Sequence, residues 1–312
     1  MSRTARTLLF AVAILGLVGG AAFAQGTPQI GLSTINLQAL FFNQINDGAL
    51  DAANQFGAEV QIVDSNNDPD RQVRAIESFI TQQKDAIIVV AIDVNGIVPA
   101  LQAARDAGIP VVAIDAQVAS PPANTFIGVD NYGAGRQAGE YTLAYINDEL
   151  GGTAKVGIVG ALNSFIQNLR RDGFVEVLTG VDGIEIVNVV DGQNQQEIAL
   201  TAAENLMTGT SDLDIVYATG EPALIGSIAA VESQGRTETV RIIGWDLTAQ
   251  AVRGIEQGFV QAVVQQNPYQ EGFEAVRASL EMIAGNEVGL EILIPIDIVT
   301  VDNVDDFRYL FE

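Results

Sequence analysis

The segment Asp85–Asp115, with the sequence DAIIVVAIDVNGIVPALQAARDAGIPVVAID, decides the fold class. It contains two short runs that are almost continuously apolar, Ala86–Ala91 and Val111–Asp115, and a helical pattern separates them. Strands that are apolar throughout, rather than at alternate positions, are typical of a parallel sheet covered by helices on both faces. The segment therefore predicts a strand–helix–strand unit of an α/β fold.

The same alternation of strand and helix runs along the whole chain. In the segment FFNQINDGALDAANQFG, apolar residues from Phe42 to Phe56 fall on one face at helical spacing. Two further helix starts are marked by a capping residue before a proline, at Asp68-Pro69 and at Asn267-Pro268. The predicted strands are Ile30–Ser33, Val60–Asp64, Ala86–Ala91, Val111–Asp115, Phe126–Val129, Lys155–Gly160, Ile184–Val190, Ile215–Ala218, Arg241–Asp246 and Val260–Gln265.

The strand–helix series is interrupted once. It runs four times before about Val129 and begins again at Lys155, which predicts two doubly wound parallel-sheet lobes. Each lobe would have an ordinary domain size. No linker rich in proline or serine lies between them, so we expect a hinge made of short crossing segments.

The first 24 residues have the three-part layout of a secretory signal peptide. Arg3 and Arg6 precede the apolar run Leu8–Val18, and small residues precede Gln25. We expect cleavage between residues 24 and 25 and a mature protein that is exported and soluble, in a periplasm or at the outer face of the cytoplasmic membrane. No other segment is apolar enough to predict a membrane span.

Composition excludes several functions. The chain has no cysteine, which rules out disulfides, thiol chemistry and a lipoprotein anchor, and no histidine, which rules out Ser-His-Asp catalysis and most zinc sites. Its net charge is −24, and it would be −26 once the two arginines of the signal peptide are removed. Such a charge repels nucleic acid. We predict no catalytic residues, metal or cofactor.

Two of the predicted strands end on an acid, Asp115 in the first lobe and Asp246 in the second. Ligands of open parallel sheets lie beyond the carboxyl ends of the strands. If the lobes face each other, both acids would point into the cleft between them. The alternative is that each acid is a helix cap or turn residue, with Thr248 completing a cap after Asp246.

An ordered set of segments resembles the ribose-binding-protein-like, or type I periplasmic, substrate-binding proteins of ABC sugar importers. The resemblance covers essentially the whole mature chain, and the segments that carry it are IGLSTINLQALFF, DSNNDPDRQVRAIESFI, the segment Asp85–Asp115, GVDNYGAGRQAGEY, RRDGF, IIGWDLT and QQNPYQEG.

The resemblance implies two lobes joined by three crossings that close on a monosaccharide, and delivery of that sugar to a membrane permease. The first lobe would contain residues 25–129 and 267–297, and the second residues 130–266 and 298–312. We expect the protein to be a monomer.

Carried over by position, the ligand contacts of that family fall on Phe41, Phe42, Asp115, Arg170, Asp246 and Gln266. Sugar hydroxyls both donate and accept, so carboxylates can accept from them while an arginine donates a planar pair. An aromatic ring covers the apolar face of the sugar. We expect one of the two phenylalanines to be core and prefer Phe42 for the ligand. Asn36, Asn194 and Glu221 are further candidates, and Glu221 could instead stabilise a helix N-terminus.

Departures from the ribose and galactose pattern keep the ligand open. Ala91 and Ala116 stand where asparagine and arginine are common, Asn194 replaces an aromatic residue, and Gly220-Glu221 replaces Asn-Asp. The loop STINLQALFF is longer than in ribose-type proteins and in length resembles rhamnose-type and autoinducer-2-type relatives, but it lacks the lysine of the latter. A polyol, a deoxysugar or a furanone-type signal molecule is therefore the alternative to a common monosaccharide.

Three other interpretations carry less weight. The segment GAGRQAG, residues 133–139, resembles a dinucleotide fingerprint but has the wrong spacing, and packing of its helix on the sheet explains the glycines better. A glycosidase could use Asp115 and Asp246 as its two carboxylates, which must lie about 5 to 9 Å apart. A sugar-responsive repressor shares the two-lobed fold, but it needs an N-terminal DNA-binding domain where this chain has a signal peptide.

Overall fold

Two six-stranded sheets organise residues 26–119 and 123–311, which are the residues that this computed structural model describes. The predicted signal peptide lies outside them. The first sheet contains, in spatial order, β11 (Glu291–Leu293), β5 (Thr125–Gly128), β4 (Val111–Ile114), β3 (Ala86–Val90), β1 (Gln29–Thr34) and β2 (Glu59–Asp64). The second contains β12 (Asp297–Val299), β10 (Val260–Gln265), β9 (Arg241–Trp245), β8 (Ile215–Ala218), β6 (Ala154–Gly160) and β7 (Ile184–Asp191).

All strand pairs are parallel except β10 with β12, which is antiparallel. The ten strands predicted from the sequence are all present. The helices are α1 (Leu40–Phe56), α2 (Pro69–Thr81), α3 (Val98–Asp106), α4 (Asn131–Glu149), α5 (Phe165–Leu178), α6 (Gln196–Gly209), α7 (Glu221–Ser233), α8 (Ala249–Glu256) and α9 (Pro268–Ile283), followed by a 3-10 helix, Val304–Phe311.

Each sheet has an apolar core on both faces. In β3, Ile88 and Val90 pack into the core that contains α1 and α9, whereas Ile87 and Val89 pack into the core that contains α2 and α3. The apolar residues of the second sheet are divided in the same way. Those on one face pack against α4 and α5, and those on the other face pack against α6, α7 and α8. This two-sided burial is the physical reason why the strands are continuously apolar.

Both predicted helix starts are confirmed. Asp68 accepts a hydrogen bond from the backbone nitrogen of Arg71, and Asn267 accepts one from that of Gln270, with a proline at the next position in each case.

Three crossings connect the two sheets, between β5 and α4, between β10 and α9, and between β11 and β12. The third lies earlier than the sequence analysis places it. Asp297 pairs with Gln265 in the second sheet, and Ile294 donates a backbone hydrogen bond to Gly128 in the first. The chain therefore crosses between Leu293 and Asp297, and Asp297 belongs with the second sheet.

Two of the three glycines of GAGRQAG, Gly135 and Gly139, serve helix packing, although their partner is α5 rather than the sheet. A Cβ atom on Gly135 would collide with the carbonyl oxygen of Arg170, and one on Gly139 would lie 2.9 Å from the side chain of Val177. From the other side, a Cβ on Gly173 would collide with the carbonyl oxygen of Tyr132. The backbones of α4 and α5 can approach this closely only because these positions are glycine.

Candidate ligand-binding site

Asp115 and Asp246 occupy equivalent places in the two sheets. Each is the first residue after its strand, β4 or β9, and each has φ of 62°. Each donates its backbone N–H to a neighbouring strand over 2.9 Å, Asp115 to the carbonyl of Ile127 and Asp246 to that of Val264. Aspartate tolerates this left-handed conformation better than most residues. The chain thus leaves the sheet at each acid.

Both acids line one cavity of about 710 Å³ between the two sheets. That volume lies within the range of small-molecule sites. Eight of the nine sequence-predicted residues line it: Phe41, Phe42, Asp115, Arg170, Asn194, Glu221, Asp246 and Gln266. Residues associated with both sheets therefore line the same cavity.

Arg170 is the most constrained side chain of the cavity. It lies on α5 and is 5% exposed. Its Nε donates to Oδ1 of Asn131 over 2.8 Å, and its Nη1 lies 3.4 Å from the carbonyl oxygen of Thr219 and 3.8 Å from Oδ2 of Asp246. Burial lowers the pKa of the guanidinium, while Asp246 and then Asp115 raise it. Arg171, the adjacent alternative, pairs instead with Asp172 and Asn168.

Aromatic residues pack against the guanidinium of Arg170. Its guanidinium carbon lies 3.8 Å from the centre of the Trp245 ring. The indole nitrogen of Trp245 donates to the hydroxyl of Tyr217 over 2.7 Å, and the Tyr217 ring stacks on Phe174 with 3.8 Å between centroids. Because Phe174 is on the same helix as Arg170, these contacts fix the guanidinium relative to the sheet.

The carboxylate of Asp246 accepts a hydrogen bond within the described residues, whereas that of Asp115 accepts none there. Oδ1 of Asp246 accepts a hydrogen bond of 2.7 Å from the amide of Gln266, at the second crossing. In the part of the chain that the structure describes, no group donates a hydrogen bond to the carboxylate of Asp115. Burial raises the pKa of Asp115 to about 6; Arg170 lowers it and Asp246 raises it further. Thr248, and not Asp246, caps α8 by accepting from the nitrogen of Ala251.

Phe41 and Phe42 both line the cavity, where the sequence analysis expects one of them to be core. Their rings are perpendicular, with centroids 5.5 Å apart. Both rings also pack against the core beneath α1, so each is part core and part cavity wall. They are adjacent in the first turn of α1, and the cavity lies beside that turn, so both rings reach it.

Asn194 and Glu221 line the side of the cavity that belongs to the second sheet. The amide oxygen of Asn194 accepts from Gln167 over 2.7 Å, and Gln167 in turn accepts from the hydroxyl of Thr219 over 2.7 Å. Glu221 is the first residue of α7, and burial, followed by Asp246, raises its pKa. It is thus both an acid at a helix N-terminus and a cavity residue.

Asn36 is the one predicted residue that stays outside the cavity. Its side-chain oxygen accepts from the backbone nitrogens of Gln38 and Ala39, each over 2.9 Å, and its amide donates to Asn67. Asn36 therefore shapes the loop between β1 and α1, and it orients that loop rather than facing the cavity.

Some cavity residues were missed by the sequence analysis. Gln167 lies one helical turn before Arg170, so its spacing was an available signal. Leu310 and Phe311 of the 3-10 helix also line the cavity. Nothing in their local sequence indicates this, because their position depends on the packing of the chain end against α8.

Comparison with known proteins assigns the family. A family model described as "Periplasmic binding protein domain" matches residues 30–287. The chain belongs to this family. Together with the two sheets, this match confirms the resemblance and the fold class predicted from the sequence.

Individual relatives of this periplasmic binding protein cover most of the chain. The ribose import binding protein of Bacillus subtilis is 29% identical over 272 residues, which are 87% of each chain. A solved periplasmic ribose ABC transporter protein from Conexibacter woesei is 26% identical with a TM-score of 0.84, over 91% of this chain and 95% of that one. An ABC transporter solute binding protein from Bacillus halodurans, solved with bound myo-inositol, is 25% identical with a TM-score of 0.79, over 92% and 99%.

None of the helices in the described residues is both long and apolar enough to cross a membrane.

Proposed function

We propose that this protein captures a monosaccharide or a related polyhydroxy compound in the cavity between its lobes and delivers it to the permease of an ABC importer. The observation that carries the proposal is that Asp115 and Asp246, one from each sheet, line the same cavity as the guanidinium of Arg170. The known binding proteins of ribose and myo-inositol that this chain resembles support it.

In the proposed complex, Asp115 and Asp246 accept hydrogen bonds from sugar hydroxyls, while Arg170 donates to a ring or hydroxyl oxygen. Such charge-assisted bonds are roughly twice as strong as neutral ones. Phe41 and Phe42 cover the apolar C–H face of the ring. Gln266, which already donates to Asp246, keeps that carboxylate oriented toward the ligand.

The lobes, proposed as residues 25–129 with 267–296 and residues 130–266 with 297–312, move about the three crossings. A ligand that contacts both lobes only in the closed form has a higher affinity for that form and shifts the population toward it. Closure brings surfaces of both lobes to the spacing that the permease recognises. We expect affinities near micromolar, about −8 kcal/mol.

We further propose that the protein acts as an exported monomer and does not change its ligand chemically. Oδ1 of Asp246 accepts from Gln266 and its Oδ2 lies near Arg170, so both oxygens face donors, as suits a group that holds a ligand. Turnover of nitrophenyl glycosides by the mature protein would contradict this and support the glycosidase alternative.

The test is a thermal-shift and calorimetry screen of aldoses, deoxysugars and polyols with the wild type and three variants. We expect one or two compounds to bind saturably, and Asp115→Asn and Asp246→Asn each to weaken binding about 100-fold or more, since each removes a charge-assisted acceptor. Arg171→Ala is the control on the outer side of the same helix and should bind like the wild type. Full retention of affinity in both aspartate variants would contradict the site assignment.

A further inference from the structure

The 3-10 helix at the end of the chain carries an apolar stripe that leaves the core. Side chains three residues apart share one face of such a helix, and here they are Val304, Phe307 and Leu310. Val304 is 3% exposed and belongs to the apolar core that contains α8, against which Phe307 also packs. Leu310 is half-buried, but it packs against none of the apolar cores of the described residues and lines the ligand cavity instead. The stripe therefore begins in the core and ends at the cavity.

The preceding strand explains how the end of the chain reaches the cavity. β12 is antiparallel to β10 and starts with Asp297 opposite Gln265, which lines the cavity. β12 therefore leads the chain away from the cavity, and the 3-10 helix that follows contacts α8 and brings the chain back. Leu310 and Phe311, the last two residues of this helix, both line the cavity.

Contacts outside the cavity fix the helix in this place. The core packing of Val304 and Phe307 attaches it to the second sheet. The Nη2 atom of Arg308 also lies 2.6 Å from Oε1 of Glu256, the last residue of α8. This ion pair is half exposed and contributes little by itself, so the apolar packing provides most of the anchoring. The two cavity residues are therefore held in position before a ligand arrives.

Leu247 connects this helix with the ligand-binding acid of the second sheet. It follows Asp246 directly, is 7% exposed, lines the cavity and belongs to the same apolar core as Val304. We call Leu247, Leu310 and Phe311 the apolar wall. The wall thus lies on the side of the cavity that belongs to the second sheet and begins next to Asp246.

Two polar side chains beside Leu247 are already hydrogen-bonded within the protein. The amide oxygen of Gln265 accepts from the backbone nitrogen of Leu247, and its amide nitrogen donates to the carbonyl of Gln266, each over 2.7 Å. The hydroxyl of Thr248 accepts from the backbone nitrogen of Ala251 as the cap of α8. A ligand hydroxyl placed against the apolar wall would lose its hydrogen bonds to water without gaining these groups as partners, which is unfavourable.

We propose that the apolar wall determines specificity: it contacts the ligand from the second lobe and selects a polyhydroxy compound that carries a methyl group, such as a 6-deoxyhexose, over the counterpart with a hydroxymethyl group. This inference rests on the proposed function and specifies the ligand class of the same site. A ligand that donates a hydroxyl to Asp246 places its neighbouring carbon atoms beside Leu247 and the helix. A methyl group buried there leaves no polar group without a partner.

The experiment is calorimetry with matched pairs of hexoses whose members differ only by the hydroxyl on the sixth carbon. The pairs are L-fucose with L-galactose, D-fucose with D-galactose, L-rhamnose with L-mannose, and 6-deoxy-D-glucose with D-glucose. We expect the deoxy member to bind about 10-fold more tightly than its partner in the pair that fits best, because an apolar surface rejects an added hydroxyl by up to about 100-fold.

Variants assign this preference to the wall. Leu310→Ala and Phe311→Ala should each weaken binding of the best deoxy compound about 5- to 20-fold, because each removes apolar contact area. Leu310→Gln keeps the approximate size but adds a donor and an acceptor, so it should lower the deoxy-to-hydroxymethyl affinity ratio several-fold. Tyr309→Ala is the control, since Tyr309 lies on the same helix, is 68% exposed and does not line the cavity.

Thermal unfolding without ligand shows whether the variants are folded. The affinity ratio within a pair is measured on one protein sample, so a loss of folded protein affects both members equally. Unchanged affinity in Leu310→Ala and Phe311→Ala, or an unchanged ratio in Leu310→Gln, would contradict the role of the wall.

The outcomes distinguish this inference from the proposed function. If a compound without a methyl group binds more tightly than every deoxysugar, the protein is a sugar-binding protein and the inference about the methyl group is wrong. If no compound of any pair binds, and none of the wider screen does, both are contradicted.

Discussion

At the scale of single residues, the site depends on two aspartates that leave their strands with the same backbone geometry, φ of 62°, and the same hydrogen bond to the next strand. The sequence predicted both acids because each follows an apolar run, and it predicted Arg170 through the resemblance. It could not predict that Arg170 lies over Trp245, because that contact joins α5 to β9, which are far apart in the sequence.

The raised pKa of Asp115 has a consequence for stability. The folded protein binds this proton more tightly than the unfolded chain, since the pKa rises from 3.8 to about 6 on folding. The free energy of unfolding contributed by this group therefore falls as the pH rises through that interval and stays low above it. Asp115 decreases the stability of the ligand-free protein at neutral pH.

We therefore expect Asp115→Asn to stabilise the ligand-free protein by about 1 to 3 kcal/mol at pH 7.5, and by much less at pH 4. Urea denaturation at the two pH values measures this, with wild type and variant compared under identical conditions. Because Asp115 also raises the pKa of the buried Glu271 of α9, the difference between the two proteins includes the change in the titration of Glu271. Equal free energies of unfolding for the two proteins at pH 7.5 would show that ionisation of Asp115 does not destabilise the folded state.

At the scale of elements, the strands and helices were largely predictable, because strands buried on both faces are continuously apolar and capped helices begin with recognisable pairs. Two short strands were not predicted. β11 and β12 have three residues each and lie at the edges of their sheets, where long-range pairing rather than local sequence determines the conformation. For the same reason the sequence analysis placed the third crossing after residue 297, whereas it lies between Leu293 and Asp297.

The contact between α4 and α5 positions Arg170, and it depends on glycine. We expect Gly173→Ala to destabilise the protein by about 1 to 3 kcal/mol and to weaken ligand binding, because its methyl group would push against the carbonyl of Tyr132 and move α5. Thermal unfolding and calorimetry measure the two effects.

The control is Gly209→Ala, at the last residue of α6, where an added Cβ meets nothing within 4 Å. This variant should be neutral or slightly stabilising, since alanine favours a helix over glycine by up to about 1 kcal/mol. Similar losses in both variants would indicate that helix propensity, and not the close approach of α4 and α5, governs the result.

At the scale of the whole molecule, the resemblance of ordered segments predicted two lobes and a shared cavity, and the composition alone excluded histidine- and cysteine-based chemistry. The wall formed by Leu310 and Phe311 was not predictable, because the end of the chain returns to the cavity only through tertiary packing. The balance of charge in the cavity likewise depends on how the fold brings residues from both sheets together, which no local pattern encodes.

The central claim is that a ligand held between Asp115 and Asp246 closes the two lobes, and the absence of native cysteine makes this directly measurable. Fluorophores on cysteines introduced at the exposed positions Leu37, before α1, and Phe165, at the start of α5, would report the distance between lobes by energy transfer. We expect the tightest-binding compound of the screen to shorten this distance saturably in the wild type, and to leave it unchanged in Asp246→Asn at the same concentration. Saturable binding by calorimetry with no change in the distance would contradict closure of the lobes on the ligand.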